Sequence, residues 1–208
     1  CFSKRNSIPF WCHNPSDSYC NETHEYHSKK KISLYKERCA AKRSHYIEVI
    51  EQLNPEKLVY VDESGVDAYV SREYAWSERG LPVIGERAGK RFARESFVAG
   101  LMNKNIVAPF CYQGTMDNLL FNFWLSNFLL PQIGSGHIVI MDNAAFHKSQ
   151  KTLELIKAAG CEVTFLPPYS PDLNPIEKFW ANLKKKIKNS IANFDSLALA
   201  IDQAFKGS

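Results

Sequence analysis

No Cys-x-x-Cys pair occurs among the six cysteines (Cys1, Cys12, Cys20, Cys39, Cys111 and Cys161), so the most frequent zinc-finger spacing is missing. Cys12, His13, Cys20, His24 and His27 do cluster, but at intervals that fit no common finger. Reduced thiols of an intracellular protein are the plainer reading. The first residues lack the apolar core and small-residue cleavage site of a signal peptide, and a chain that opens on Cys1 rather than Met is expected to be a fragment or to start inside a reading frame. Strong charge of one sign is also absent. The net charge of +4 is too small by itself to announce a nucleic-acid binder. A long uncharged run exists from Asn118 to Met141, but Pro131, Gly134 and Gly136 interrupt it. Its first half allows a helix of about 13 residues against the roughly 20 a bilayer needs, so it reads as a buried helix, a loop and a core strand, with no membrane partner.

What is present favours one good-sized globular domain. Of the 208 residues 45% are apolar, with 13 Phe and 9 Tyr, enough to build a core. Charge is unevenly spread: residues 1–57 carry 10 Lys and Arg against 7 acids, 58–142 carry 7 against 9, and 143–208 carry 9 against 6. A slightly acidic centre between basic flanks suits anionic metal ligands in a basic frame. Residues 1–28, rich in Ser, Asn, His and Cys without periodicity, read as a poorly ordered leader or the stump of an upstream domain. Residues 29–57 read as a basic, partly helical lead-in that Asn54-Pro55 closes. Residues 58–208 read as the main folded domain.

Within that domain Leu58–Val61 is a β-rich run that delivers Asp62-Glu63-Ser64-Gly65 at its tip. Short strands are expected at Tyr69–Val70 and Tyr74–Trp76. Ser96–Met102 and Ile106–Tyr112, joined by Asn103-Lys104-Asn105, predict a hairpin. Asp117 is placed to cap a helix through Leu130. Ile138–Met141 forms a strand ending on Asp142, Ser149–Ala159 an amphipathic helix closed by Gly160, and Glu162–Leu166 another strand. Asn174-Pro175 marks the cap and first position of a helix through about Lys188, and Phe194–Phe205 is a last helix. There is no internal repeat. Strands in succession, then strands alternating with helices, predict an α/β fold with a mixed sheet flanked by helices.

Two strands thus end on aspartates, and a later helix starts with Glu177. Carboxylates gathered at neighbouring strand tips repel, and a hard cation such as magnesium is their natural counter-charge. Three segments carry a resemblance: Val61-Asp62-Glu63-Ser64-Gly65, Met141 to His147 (MDNAAFH), and Leu166 to Glu177 (LPPYSPDLNPIE), with 34 residues between Asp142 and Glu177. Over roughly residues 29–205 the chain resembles mariner-like DDE transposases, in the branch found in bacterial insertion sequences. The resemblance implies a ribonuclease-H-like mixed β-sheet flanked by helices, with Asp62, Asp142 and Glu177 as catalytic residues and as ligands of two Mg2+ or Mn2+ ions. It also implies cleavage of transposon ends and transfer of the freed 3′-hydroxyl to target DNA, a homodimer assembled on DNA, and a bacterial, cytoplasmic, nucleoid-associated protein. The family's N-terminal helix-turn-helix has no counterpart in residues 1–28. A ribonuclease-H-like endonuclease without strand transfer, and an inactive DNA-binding remnant, stand as alternatives.

Several of these residues have a plainer reading. Asp62 is also a common turn residue ahead of Gly65. Glu63 is a rival ligand, though strand alternation turns it away from Asp62; Asp67 reads as loop surface. Asn174 and Glu177 have the spacing of a capping box. Asn143 can orient a ligand or simply form a turn, and His147 can act as a general base or contact DNA, with a structural or solvent-facing role the plainer reading. Trp180, three residues after Glu177, is expected in the core beneath the site. Lys178, Lys184, Lys185 and Lys188, with Lys186, are either a solvated face or DNA phosphate contacts. Arg72, Arg79, Arg87, Lys90, Arg91 and Arg94 either guide DNA or solubilise loops.

Overall fold

The computed structural model describes residues 35–67, 80, 82 and 94–206. The expected short strands at Tyr69–Val70 and Tyr74–Trp76, the cluster Cys12 to His27, and the basic residues Arg72 to Arg91 lie outside the described residues. Leu58–Asp67 (β1) is central in a five-stranded sheet ordered β3-β2-β1-β4-β5. It pairs antiparallel with Arg94–Met102 (β2), which forms a hairpin with Asn105–Gln113 (β3). On its other side β1 runs parallel to Ile138–Met141 (β4), which is parallel to Glu162–Phe165 (β5). The strand β1 is longer than its apolar run predicts. Antiparallel pairing as far as Asp67 with Arg94 gives the turn-like sequence Asp62 to Asp67 a ladder partner, and this long-range pairing overrides local propensity. Asp62 is therefore inside a strand, and Asp67 is the strand's exposed last residue rather than loop.

The β2–β3 turn is the two residues Asn103 and Lys104, both at positive φ, which is the geometry that matches strand twist in a tight hairpin. A bulge opposite Ala99 leaves Ala108 at φ 51°. Its backbone groups are satisfied from the helical layer: its N–H donates to Gln132 Oε1 (2.9 Å) and its carbonyl accepts from Trp124 Nε1 (2.8 Å). That layer begins with Asn118–Trp124 (α2), where Asp117 accepts from the Leu120 N–H as expected. The helix widens into a π turn over Leu125–Leu129 and runs on as Leu130–Ile133 (α3). Pro131 has no N–H for the carbonyl a turn back, so the ladder reopens ahead of it rather than ending at Leu130.

Two apolar layers sandwich the sheet. Val59, Val61, Val98, Val139 and Met141 pack on Phe121, Trp124, Leu125 and Leu129, and on Ile156 of Gln150–Ala158 (α4). Ser149 caps α4, and Gly160 at φ 71° closes it. The Gly160 N–H donates to the Lys157 carbonyl and the Cys161 N–H to that of Ile156, a Schellman pair. On the opposite face Phe97 and Ala99 meet Ile176, Trp180, Leu183 and Ile187 of Ile176–Ser190 (α5), and Ala200 and Ile201 of Leu197–Lys206 (α6). The Ser196 hydroxyl accepts from the Leu199 N–H, so α6 starts later than Phe194. Ala40–Gln52 (α1), the helical part of the lead-in, buries Tyr46 against Leu58, Ile140 and Leu166.

Candidate active site

Alternation along β1 sorts its acids. Val59 and Val61 enter the layer with α2, so Glu63 shares their side, while Asp62 points to the side of α5. The register that sets Tyr60 beside Ile140 in β4 carries on two residues to bring Asp62 alongside Asp142, just past the end of β4. Trp180 of α5 donates its indole N–H to Asp62 Oδ2 at 3.0 Å. Trp180 is 1% exposed and packs 5.0 Å from the Phe97 ring. It sits in the core as expected, and it also anchors a site carboxylate, which spacing alone does not reveal.

Glu177, in the first turn of α5, completes the group. Asp62, Asp142 and Glu177 all line one open cavity of about 490 Å³, walled by Asn143, Asn174, Tyr35 and the segment Leu166–Pro171. Among the described residues no Lys, Arg or His is in that wall. The electrostatics follow. Burial, then the charges of Glu63, Glu177 and Asp142, push the Asp62 carboxyl up to about 8, against a smaller opposing pull from the Trp180 N–H. Among the described residues no three His, Cys, Asp or Glu side chains form a group that could hold a metal ion. The donor set nevertheless fits a hard cation: acidic oxygens, no competing cation among the described lining residues, and a carboxyl raised by burial and by its neighbours' negative charge.

The capping box is not formed. Residue 175 stands at the helix boundary with no side-chain cap; the Glu177 N–H donates to the Asn174 backbone carbonyl. Asn174 Oδ1 is buried without a partner, so α5 begins one residue later than predicted and the Glu177 carboxylate is not occupied by capping. Asn143 Nδ2 donates to the Leu166 carbonyl at 2.6 Å, tying the loop after β4 to the end of β5. Of the α5 lysines, none lines the carboxylate cavity. Lys178, Lys185 and Lys188 are exposed and Lys184 is half-buried, all off the packed stripe. Lys185 and Lys186 border a separate surface hollow with Phe179, Asn182, Leu183 and Asn189. Arg94 borders another, with Glu63, Ser64, Ser96 and Tyr112.

His147 follows the structural one of its two plainer readings. It is fully buried, not solvent-facing, with ring centroids 4.6 Å from Phe121 and 4.4 Å from Phe146. Nδ1 is 2.7 Å from Asp142 Oδ1 and Nε2 is 3.1 Å from Glu63 Oε1. Burial pulls the imidazole down, but the two carboxylate bonds outweigh it and lift His147 to about 9. Asp142 is held below the usual carboxylate range, chiefly by its bond to His147. Glu63 faces this ring, across the strand from the cavity.

A family model described as DDE superfamily endonuclease matches residues 57–198. The Tcb2 transposable-element transposase of Caenorhabditis briggsae is 23% identical over 159 residues, which is 67% of this chain and 56% of that one. The fold is that of the Mos1 transposase in its paired-end complex with the left transposon end (TM-score 0.68, 16% identity, 89% of this chain and 60% of that one). It matches a Mos1 mariner paired-end complex with Mn in the same way (TM-score 0.64, 16% identity, 88% and 60%). The chain thus spans little more than half the length of these relatives. The curated relative is a nematode protein, so the bacterial, nucleoid-associated placement gains no support from it; no helix among the described residues is long and apolar enough to cross a membrane. With the match spanning β1 to the start of α6 and taking in all three cavity carboxylates, the chain belongs to the DDE superfamily endonuclease family.

Proposed function

We propose that this chain is the catalytic part of a DNA transposase, and that Asp62, Asp142 and Glu177 hold two divalent cations, Mg2+ or Mn2+, against a DNA phosphodiester. The observation that carries the reading is one cavity lined by these three acids from distant parts of the chain. Residues 58–208 form the catalytic domain, 29–57 its lead-in, and 1–28 a leader or the stump of another domain. Bound there, such ions activate an attacking oxygen and stabilise the leaving one in an in-line displacement at phosphorus.

The chain's own residues supply the geometry. Trp180 pins one oxygen of Asp62; Asp142 accepts the Ala144 N–H and the His147 ring on Oδ1; α5 sets Glu177 at the cavity edge. The wall of Pro167, Pro168 and Pro171 narrows the approach, with backbone φ fixed by three rings. DNA is the partner, as transposon ends and as target, with a homodimer holding paired ends. Lys178, Lys184, Lys185 and Lys188 contact its phosphates. The neighbours that contain transposon-end DNA and Mn support this reading.

The test is a strand-transfer assay in Mg2+ and in Mn2+, with a DNA end already cut to a 3′-hydroxyl. Joined product is expected. Hydrolysis without joining marks an endonuclease of the same family, and DNA binding without either reaction marks an inactive remnant.

A further inference from the structure

We propose that Glu63 and His147 are positioning residues that hold Asp142 as a one-oxygen ligand; this rests on the reading of Asp142 as a cation ligand. Both donors to Asp142, the Ala144 N–H at 2.9 Å and His147 Nδ1 at 2.7 Å, fall on Oδ1. The side chain is 51% exposed and lines the cavity, and with both donors on Oδ1 the second oxygen is left for a cation. Two donors on one oxygen fix the plane of the carboxylate. It then cannot swing away from Asp62, as repulsion between the two otherwise favours.

His147 is in turn held from three directions. Glu63 Oε1 takes Nε2 at 3.1 Å, and the rings of Phe121 and Phe146 pack against the imidazole. Glu63 is 84 residues away in sequence and lies on β1 next to Asp62. The strand that presents one acid to the cavity thus anchors, through its opposite face, the residue that aims the second. Because His147 is fully buried, it touches neither DNA nor solvent; it acts through Asp142. Such supporting partners set a ligand's orientation, and their loss typically costs about 10–100-fold in metal affinity.

The imidazole's two bonds can be separated with amides. In His147→Asn the short amide reaches the place of Nδ1 and keeps the donor to Asp142. In His147→Gln the longer one reaches the place of Nε2 and keeps only the contact with Glu63. Mn2+ binding to the full chain is followed by the paramagnetic resonance signal of the free ion, with thermal unfolding in EDTA alongside. His147→Gln is expected to lose about 10–100-fold in Mn2+ affinity, and His147→Asn to retain most of it at similar metal-free stability. Equal affinity in the two overturns the positioning role and leaves His147 as packing. If neither folds, Glu63 decides: Glu63→Gln keeps an acceptor for Nε2 and should bind Mn2+ like the parent, whereas Glu63→Met should weaken it. A Glu63→Met chain that binds normally overturns the proposal. So does a Glu63→Gln chain that loses the ion, since Glu63 is then a ligand itself. Asp142→Asn separates the two readings. It should abolish the affinity even if the clamp fails, and if it does not, the cation site itself is misplaced and the clamp falls with it.

Discussion

Asp62 shows how a single side chain carries both the cost and the use of this site. Its carboxyl is raised to about 8 by burial and by Glu63, Glu177 and Asp142, well above its value in an unfolded chain. A group raised in this way favours folding fully only below its unfolded pKa of about 4, and that contribution is lost as pH climbs through about 8. Unfolding midpoints in EDTA should therefore fall between pH 5 and pH 8. In Asp62→Asn the fall should flatten and the fold gain stability at pH 8, while added Mn2+ stops raising the midpoint. A midpoint of the parent that holds steady over this range contradicts the raised carboxyl. Trp180 gives a second check. Trp180→Phe keeps an aromatic ring against Phe97 but removes the indole bond to Asp62, which should cost about 1–3 kcal/mol in denaturant unfolding. At this scale the three acids that line the cavity are legible in the sequence as candidates, because each stands in a distinctive local segment. The contact of His147 with Glu63 is not, since no short-range pattern says which two residues 84 apart meet.

Among the elements, the Pro-rich segment before α5 is held from outside by α1. Arg43 makes two bonds to Asp172, at 2.9 and 2.6 Å, and the rings of Tyr35 and Tyr169 lie 5.9 Å apart over the cavity wall. An ion pair this exposed contributes at most about 1 kcal/mol. Arg43→Ala should accordingly leave the unfolding midpoint almost unchanged, yet speed amide exchange across residues 169–174. Unchanged exchange there shows that the pair does not restrain the loop. The elements themselves follow from the sequence where a local device sets their ends, as at Asp117, Ser149 and Gly160. They depart from it where a distant partner decides. Pairing of β2 lengthens β1 past its acidic residues, and Asn174 gives α5 only its backbone carbonyl rather than a cap.

For the whole molecule, the sheet order β3-β2-β1-β4-β5 is what converts two aspartates 80 residues apart into neighbours. The sequence supplies strands and helices in turn, but strand order depends on pairings across long loops, which only the resemblance to a known family anticipates. The same arrangement puts the lysines of α5 outside the cavity, on a helix whose first turn enters it. Replacing Lys184, Lys185 and Lys188 together by Ala should weaken duplex DNA binding and lower the slope of affinity against salt by about 1 for each phosphate no longer neutralised. Fluorescence anisotropy over a range of KCl concentrations reads this, and an unaltered slope makes the lysines a solvated face.

The most direct measurement of the central claim is nicking of transposon-end DNA in Mg2+ by Asp62→Asn, Asp142→Asn and Glu177→Gln, each compared with the parent. One shared centre predicts that every one of the three falls to background while metal-free folding is retained. A parental rate in any one of them contradicts it.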